Sequence, residues 1–184
     1  DSARNRYLLR RISEICRTTV WALSEQLRRG DFRPAFLEKD FHLTRPGFRL
    51  SGRIDRVDLC ETEKSIYVKV LDYKSGRTVF DLNRIYEGLQ LQLATYLKVA
   101  LEELQRDYPG KEVLPAAMFY YRIDDPILDY VPGEDEDGGE DRRLRALRVD
   151  GLVNADREVI SHLDREFQKE SRVIPVTLRE GKVE

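Results

Sequence analysis

Two neighbouring runs constrain this chain more than anything else in it: Gly52-Arg53-Ile54-Asp55-Arg56-Val57-Asp58 and Val70-Leu71-Asp72-Tyr73-Lys74-Ser75-Gly76. Both are β-branched or apolar at close spacing, so both read as strands. Each places a carboxylate among apolar neighbours. Side chains alternate faces along a strand, so Asp72 and Lys74 point the same way, with Val68 and Val70 behind them. A carboxylate and an ammonium on one otherwise hydrophobic strand face make a small polar island.

The connection between the runs sets their pairing. Cys60 to Ser65 is the only strong turn candidate between them. A two-residue loop at Glu63-Lys64 pairs Thr62 with Ser65. Counting back along that register puts Asp55 opposite Asp72. Like charges across a ladder are destabilising, and a divalent cation between them removes the conflict. Hard cations such as Mg²⁺ take one or two carboxylates, keep several waters and bind phosphate oxygens. A slip of one residue would instead send the two aspartates to opposite faces. The plainer alternative is a set of surface salt bridges, Asp55 with Arg53 or Arg56 and Asp72 with Lys74.

The rest of the chain reads as one α/β domain, a mixed sheet flanked by helices. Its 184 residues suffice for one sizeable core. A helix is expected from Asn5 to Arg29, with Leu8, Leu9, Ile12, Ile15, Cys16, Thr19, Val20, Leu23 and Leu27 at helical steps and Gly30 at its end. Pro34 to His42 includes a short strand candidate, and Thr44-Arg45-Pro46-Gly47 is a turn. Strands follow at Phe48–Leu59 and Ser65–Tyr73. Asp81 or Asn83 caps a helix over about Arg84–Arg106, with Ile85, Leu89, Leu93, Tyr96, Leu97, Ala100 and Leu104 as its buried stripe. Val113–Arg122 is apolar enough to be a central strand, parallel to Ser65–Tyr73 through a right-handed crossover. The acidic run Gly133–Asp141 is expected as a solvated loop. Leu144–Val149 is a further strand candidate, Asp156–Glu170 a helix and Ser171–Leu178 an edge strand.

Gln92 and Tyr96 stand four residues apart on the Arg84–Arg106 helix, hence on one face. An amide and a phenol there could serve phosphate or sugar oxygens, or could be ordinary core and surface neighbours.

Composition narrows the class. No run of about 18 apolar residues spans a membrane, and no charged-then-apolar N-terminal segment reads as a signal peptide. Cys16 and Cys60 form no metal-ligand pattern and read as buried free thiols of a cytoplasmic protein. His42 and His162 are isolated and carry no assigned role. The net charge of −2 argues against an indiscriminate nucleic-acid binder. Its distribution is uneven: residues 1–56 carry 13 Lys/Arg against 7 Asp/Glu, and the remainder 19 against 27. A local basic face is what phosphate contacts need, although charge alone equally fits a solvated helix face.

Taken together, Gly52…Asp55, Asp72-Tyr73-Lys74 and Gln92…Tyr96 resemble the RecB-like branch of the PD-(D/E)XK nucleases. That branch places G-x-x-D on one strand, D-x-K on the next and Q-x-x-x-Y on the following helix. The wording GRIDRVD, LDYKSG and NRIYEGLQLQLATYL is similar to the nuclease domain of AddB-type helicase–nuclease subunits. The resemblance covers most of the chain.

It implies a restriction-endonuclease-like core, residues 1–184 forming a single nuclease domain cut from a larger helicase–nuclease subunit. The implied activity is that of an Mg²⁺-dependent deoxyribonuclease, an exonuclease on single-stranded DNA in double-strand break processing. Mn²⁺ is the expected substitute, and an AddA-like helicase–nuclease subunit is the implied partner. Asp55, Asp72 and the Tyr73 backbone carbonyl would hold the metal. Lys74 would position or activate the attacking water, and Gln92 and Tyr96 would orient the site or contact DNA. Two features of the family are missing. Its helical histidine before the first strand has no counterpart upstream of His42. The four cysteines of the iron–sulfur cluster in AddB-type subunits are not reproduced, so no such cluster is expected here. A silent DNA-binding scaffold is opposed by the joint presence of Asp55, Asp72 and Lys74. A Cas4-like or stand-alone exonuclease is disfavoured by the missing cysteines. No Walker A motif is present: Gly181-Lys182 is followed by Val183.

Overall fold

A computed structural model describes residues 2–129, 131–133, 135–179 and 182–183. Ser2 caps a long helix α1, Ala3–Arg29, and Gly30 ends it. Three strands follow: β1 Arg33–Arg45, β2 Phe48–Glu61 and β3 Ser65–Lys74. Then come helices α2 Leu82–Tyr86 and α3 Gln92–Asp107, and strand β4 Glu112–Arg122. Helix α4 Glu136–Ala146, strand β5 Asp150–Val153 and helix α5 Arg157–Leu163 complete the main body. A two-stranded ribbon, β6 Leu178–Arg179 and β7 Lys182–Val183, closes the described chain.

The five main strands form one sheet in the order β1-β2-β3-β4-β5. All neighbours are antiparallel except β3 and β4, which run parallel and are joined through α2 and α3. β4 lies between β3 and β5, as its apolar run predicts. Apolar residues of α3, among them Leu93, Val99, Ala100 and Leu104, pack with Val57, Val68, Val70 and Tyr120 of the sheet. A second core joins Ala22 of α1 and Val159, Ile160 and Leu163 of α5 to Tyr67, Leu71, Phe119 and Tyr121. The sheet is thus covered on both faces, the arrangement a parallel pair requires.

Several expectations are corrected. The strand at Pro34–His42 is much longer, because Pro46-Gly47 forms a two-residue loop with Gly47 at φ 88° and carries the ladder to Arg45↔Phe48. The single helix over Arg84–Arg106 is two helices. Gly88 adopts φ 77°, and the Leu89 and Gln90 amides both bond back to the Arg84 carbonyl, which ends α2 after five residues. Leu89 consequently leaves the buried stripe and is 65% exposed. The described residues from Asp135 onward in the acidic run are not loop: Asp135 caps α4, and Glu136 and Asp137 occupy its first turn, where the helix dipole favours them. That helix absorbs residues expected as the Leu144–Val149 strand, and the strand begins at Asp150 instead. The Asp156–Glu170 helix stops at Leu163, and Ser171–Leu178 is mostly bends. Cys16 is exposed rather than buried, whereas Cys60 is buried. Leu8, Leu9, Ile12 and Val20 of α1 are also exposed, and only Ala22 and Gln26 of that helix are fully buried.

Much of the basic surplus at the N-terminal end is structural. Arg11 pairs with Asp125, Arg29 with Glu166, Lys39 with Glu103 and Arg45 with Glu102.

Candidate active site

The turn between β2 and β3 folds as the spacing predicts. The Thr62 amide donates to the Ser65 carbonyl at 2.9 Å, and the Thr62 hydroxyl accepts from the Ser65 amide at 3.0 Å. The ladder then runs from Glu61↔Ile66 to Arg56↔Leu71. The next position in that register is Asp55 opposite Asp72. Regular pairing stops there, and the β1–β2 ladder likewise skips Asp55, beside Glu38 at φ 51°. Asp55 thus stands outside both ladders, and its Oδ2 accepts the Tyr73 amide at 2.8 Å.

Asp72 is only 2% exposed. Its Oδ2 lies 2.6 Å from Lys74 Nζ, as alternation on β3 predicts, yet no aligned hydrogen bond satisfies that oxygen. Burial pushes the Asp72 carboxyl above its ordinary value of 3.8, and the negative charge of Asp55 adds to the rise. The Lys74 ammonium opposes it and does not cancel it. A buried, under-satisfied carboxylate beside a second one is a natural place for a cation.

Lys74 continues into a chain of contacts. Its Nζ donates to Gln92 Oε1 at 2.8 Å, and Gln92 Nε2 donates to the Tyr96 hydroxyl at 2.8 Å. The Lys74 ammonium also stands 5.2 Å above the Tyr120 ring. Asp55, Asp72, Tyr73, Lys74, Gln92 and Tyr96 are all brought together. Gln92 and Tyr96 occupy the first and second turns of α3, so their four-residue spacing delivers both to the end of β3.

Some residues that shape this place gave little sign of it in the sequence. Phe41 packs edge-on against Tyr96, with ring centroids 5.7 Å apart. The same ring lies over Gly52, where a Cβ would come within 2.9 Å of it. Gly52 thus serves Phe41, and Phe41 supports Tyr96. Gln90, two residues before Gln92, accepts from the Asp81 amide and donates to the Val79 carbonyl, both at 2.9 Å. The G-x-x-D pattern marked Gly52, but nothing marked Phe41, because its partner is distant in sequence.

The reverse face of the sheet holds a buried ionic cluster. Asp58 accepts from Arg56 at 2.6 and 2.8 Å and lies 2.8 Å from Lys69. Burial works against the Asp58 charge, but Lys69 and Arg56 outweigh it and hold the carboxyl below its usual range. Arg56 also donates to the Tyr73 hydroxyl at 3.4 Å, which fixes the residue between Asp72 and Lys74 from behind.

Neither histidine joins these groups. His162 bonds Asp31 at 2.9 Å, and His42 is exposed on β1. Among the described residues no cluster of three or more His, Cys, Asp or Glu side chains forms a metal cage. Two carboxylates and a backbone carbonyl fit an Mg²⁺-type ion that keeps its waters, rather than Zn²⁺.

Comparison with known proteins agrees with this geometry. Residues 1–177 match the PD-(D/E)XK nuclease superfamily. The chain belongs to that superfamily. It is 42% identical over 96% of its length to the B subunit of the ATP-dependent helicase/deoxyribonuclease of Lachnoclostridium phytofermentans, covering 16% of that protein. The same-named proteins of Clostridium acetobutylicum and Pelotomaculum thermopropionicum are 34% and 37% identical over 97% of the chain, again 16% of their lengths. The chain therefore spans about a sixth of the relatives it matches. No described helix is long and apolar enough to cross a membrane.

Proposed function

We propose that this domain hydrolyses phosphodiester bonds of single-stranded DNA with Mg²⁺ or Mn²⁺, as an exonuclease within a larger helicase–nuclease subunit. Its setting would be the processing of double-strand breaks for recombinational repair, with an AddA-like helicase partner. The observation that carries the reading is the buried Asp72 carboxylate, with one oxygen unsatisfied, beside Asp55 and against Lys74. The partner and pathway rest on the names of the relatives.

In this reading Asp72 and Asp55 hold the ion together with the Tyr73 carbonyl. One Asp55 oxygen is already occupied by the Tyr73 amide, so the other is the one on offer. A bound divalent ion lowers the pKa of its water and neutralises charge on a phosphoryl transition state. The protein's own part is positional and electrostatic. Lys74 is anchored by Asp72 and Gln92, and so presents a fixed cation to the attacking water and the phosphate oxygens. Gln92 and Tyr96 keep it from swinging into solvent, holding the reacting groups in near-attack geometry.

The test is cleavage of labelled single-stranded DNA with and without Mn²⁺, comparing wild type with Lys74→Ala. Metal-dependent cutting that falls by at least about 10²-fold in the variant is expected. Equal cutting by both proteins would remove Lys74 from the mechanism. No cutting by wild type would count against a complete site in residues 1–184.

A further inference from the structure

Beside the candidate centre lies a cleft of about 880 Å³, and Lys74 and Gln92 form part of its wall. Its far side is built by the loop 75–81, α2 and the Glu87–Leu91 break. These walls are fixed. The Phe80 amide donates to Asp150 at 2.7 Å, Gln90 clamps both Val79 and Asp81, and the Phe80 and Tyr120 rings pack 6.5 Å apart.

The lining has an unusual chemistry. Arg77 and Arg84 are exposed, and neither has a carboxylate partner among the described residues. The one lining acid, Asp81, is occupied in capping α2. Next to these cations stand the exposed apolar side chains of Val79, Leu82, Leu89 and Leu91, and Tyr86 projects from α2 at 94% exposure. A ledge of this kind does nothing for a duplex, whose bases are stacked and paired inside. Single strands offer both phosphates for arginine and unstacked base faces for apolar and aromatic side chains.

We propose that this cleft is a subsite for a single strand of DNA next to the phosphate being cut. Arg77 and Arg84 bind its phosphates, and Leu89, Leu91 and Tyr86 receive its bases. The subsite rests on the nuclease reading of the neighbouring centre and supplies that reading's strand preference. The break at Gly88 is what creates the ledge, since a continuous helix would have buried Leu89.

Binding tests it independently of cutting. Fluorescence anisotropy of a labelled oligothymidylate and of a labelled duplex is measured in EDTA, for wild type and for Arg77→Ala/Arg84→Ala. The control is Arg10→Ala/Arg17→Ala, the same charge change on α1. The cleft variant is expected to bind the single strand about tenfold more weakly at low salt. Its log–log salt slope should be shallower by about 1.4, at about 0.7 for each of two phosphates no longer neutralised. Leu89→Ser should weaken single-strand binding and leave duplex binding unchanged. Unchanged affinity in the cleft variant, or equal losses in the α1 control, overturns the subsite whether or not the protein cuts. Failure of the nuclease reading would show instead as absence of metal-dependent cleavage with the binding differences intact.

Discussion

Asp72 is the residue at which stability and chemistry conflict. Burial and Asp55 raise its pKa, so the folded chain favours the protonated carboxyl more than the unfolded chain does. A raised acid contributes stability below its ordinary value of 3.8 and loses it as pH rises through the folded value. At neutral pH the ionised Asp72 is a net cost to the metal-free fold. Asp72→Asn should therefore melt higher than wild type at neutral pH in EDTA, with the gap closing below the ordinary value, and should lose metal-dependent cleavage. Calorimetry across that pH range checks the sign, and a lower melting temperature for the variant at neutral pH would refute it. In the wild type, metal-dependent cleavage should fall on acidification through a pKa above the usual carboxylate range.

At the scale of elements, the site is held from both faces of the sheet. On the α3 face, the contacts from Gly52 through Phe41, Tyr96 and Gln92 to Lys74 tie β1 and β2 to the end of β3. Phe41→Leu keeps an apolar core residue but withdraws the ring edge from Tyr96. It should cost about 1–2 kcal/mol in stability. It should also lower kcat by at least about tenfold, with little change in KM for DNA, through loosened geometry. Steady-state kinetics separates this from a packing defect, which would leave kcat per folded molecule unchanged. On the opposite face, Asp58→Ala leaves Arg56 and Lys69 as uncompensated buried charges and should cost about 3–5 kcal/mol. Urea denaturation measures this, and a loss below about 1 kcal/mol would mean that water reaches the pair.

For the whole molecule, the two covering layers leave the end of β3 open between α3 and the loop 75–81, and the candidate centre sits there. A cation that binds only the native state stabilises it by mass action, about 1.4 kcal/mol at ten times its Kd. For a domain of this size that is a rise in Tm of about 3–6 °C. Millimolar Mg²⁺ or Mn²⁺ should produce such a rise in wild type and none in Asp72→Asn. An unchanged wild-type Tm would exclude a preformed site.

Local pattern was enough for β2, β3, their turn and their register, since strand alternation and a two-residue loop leave few alternatives. That register alone placed Asp55 opposite Asp72 and Lys74 beside Asp72. The four-residue spacing of Gln92 and Tyr96 was equally local. What local pattern could not supply depended on distant partners. Helix propensity across residues 84–106 was overridden by Gly88 and by the Gln90 clamp on Val79 and Asp81. The acidic run from Asp135 became a helix once Asp141 could pair with Arg145 and Arg172 and Leu144 could be buried. Phe41 reached Tyr96 only because β1 lies beside β2. The amino-acid sequence determined which groups carry the chemistry and on which strand face each stands, because side-chain periodicity is a property of the strand itself. Only the tertiary structure decided which aspartate oxygen is left unsatisfied, what holds Lys74 in place and where the open cleft lies, because those depend on contacts between segments far apart in the chain.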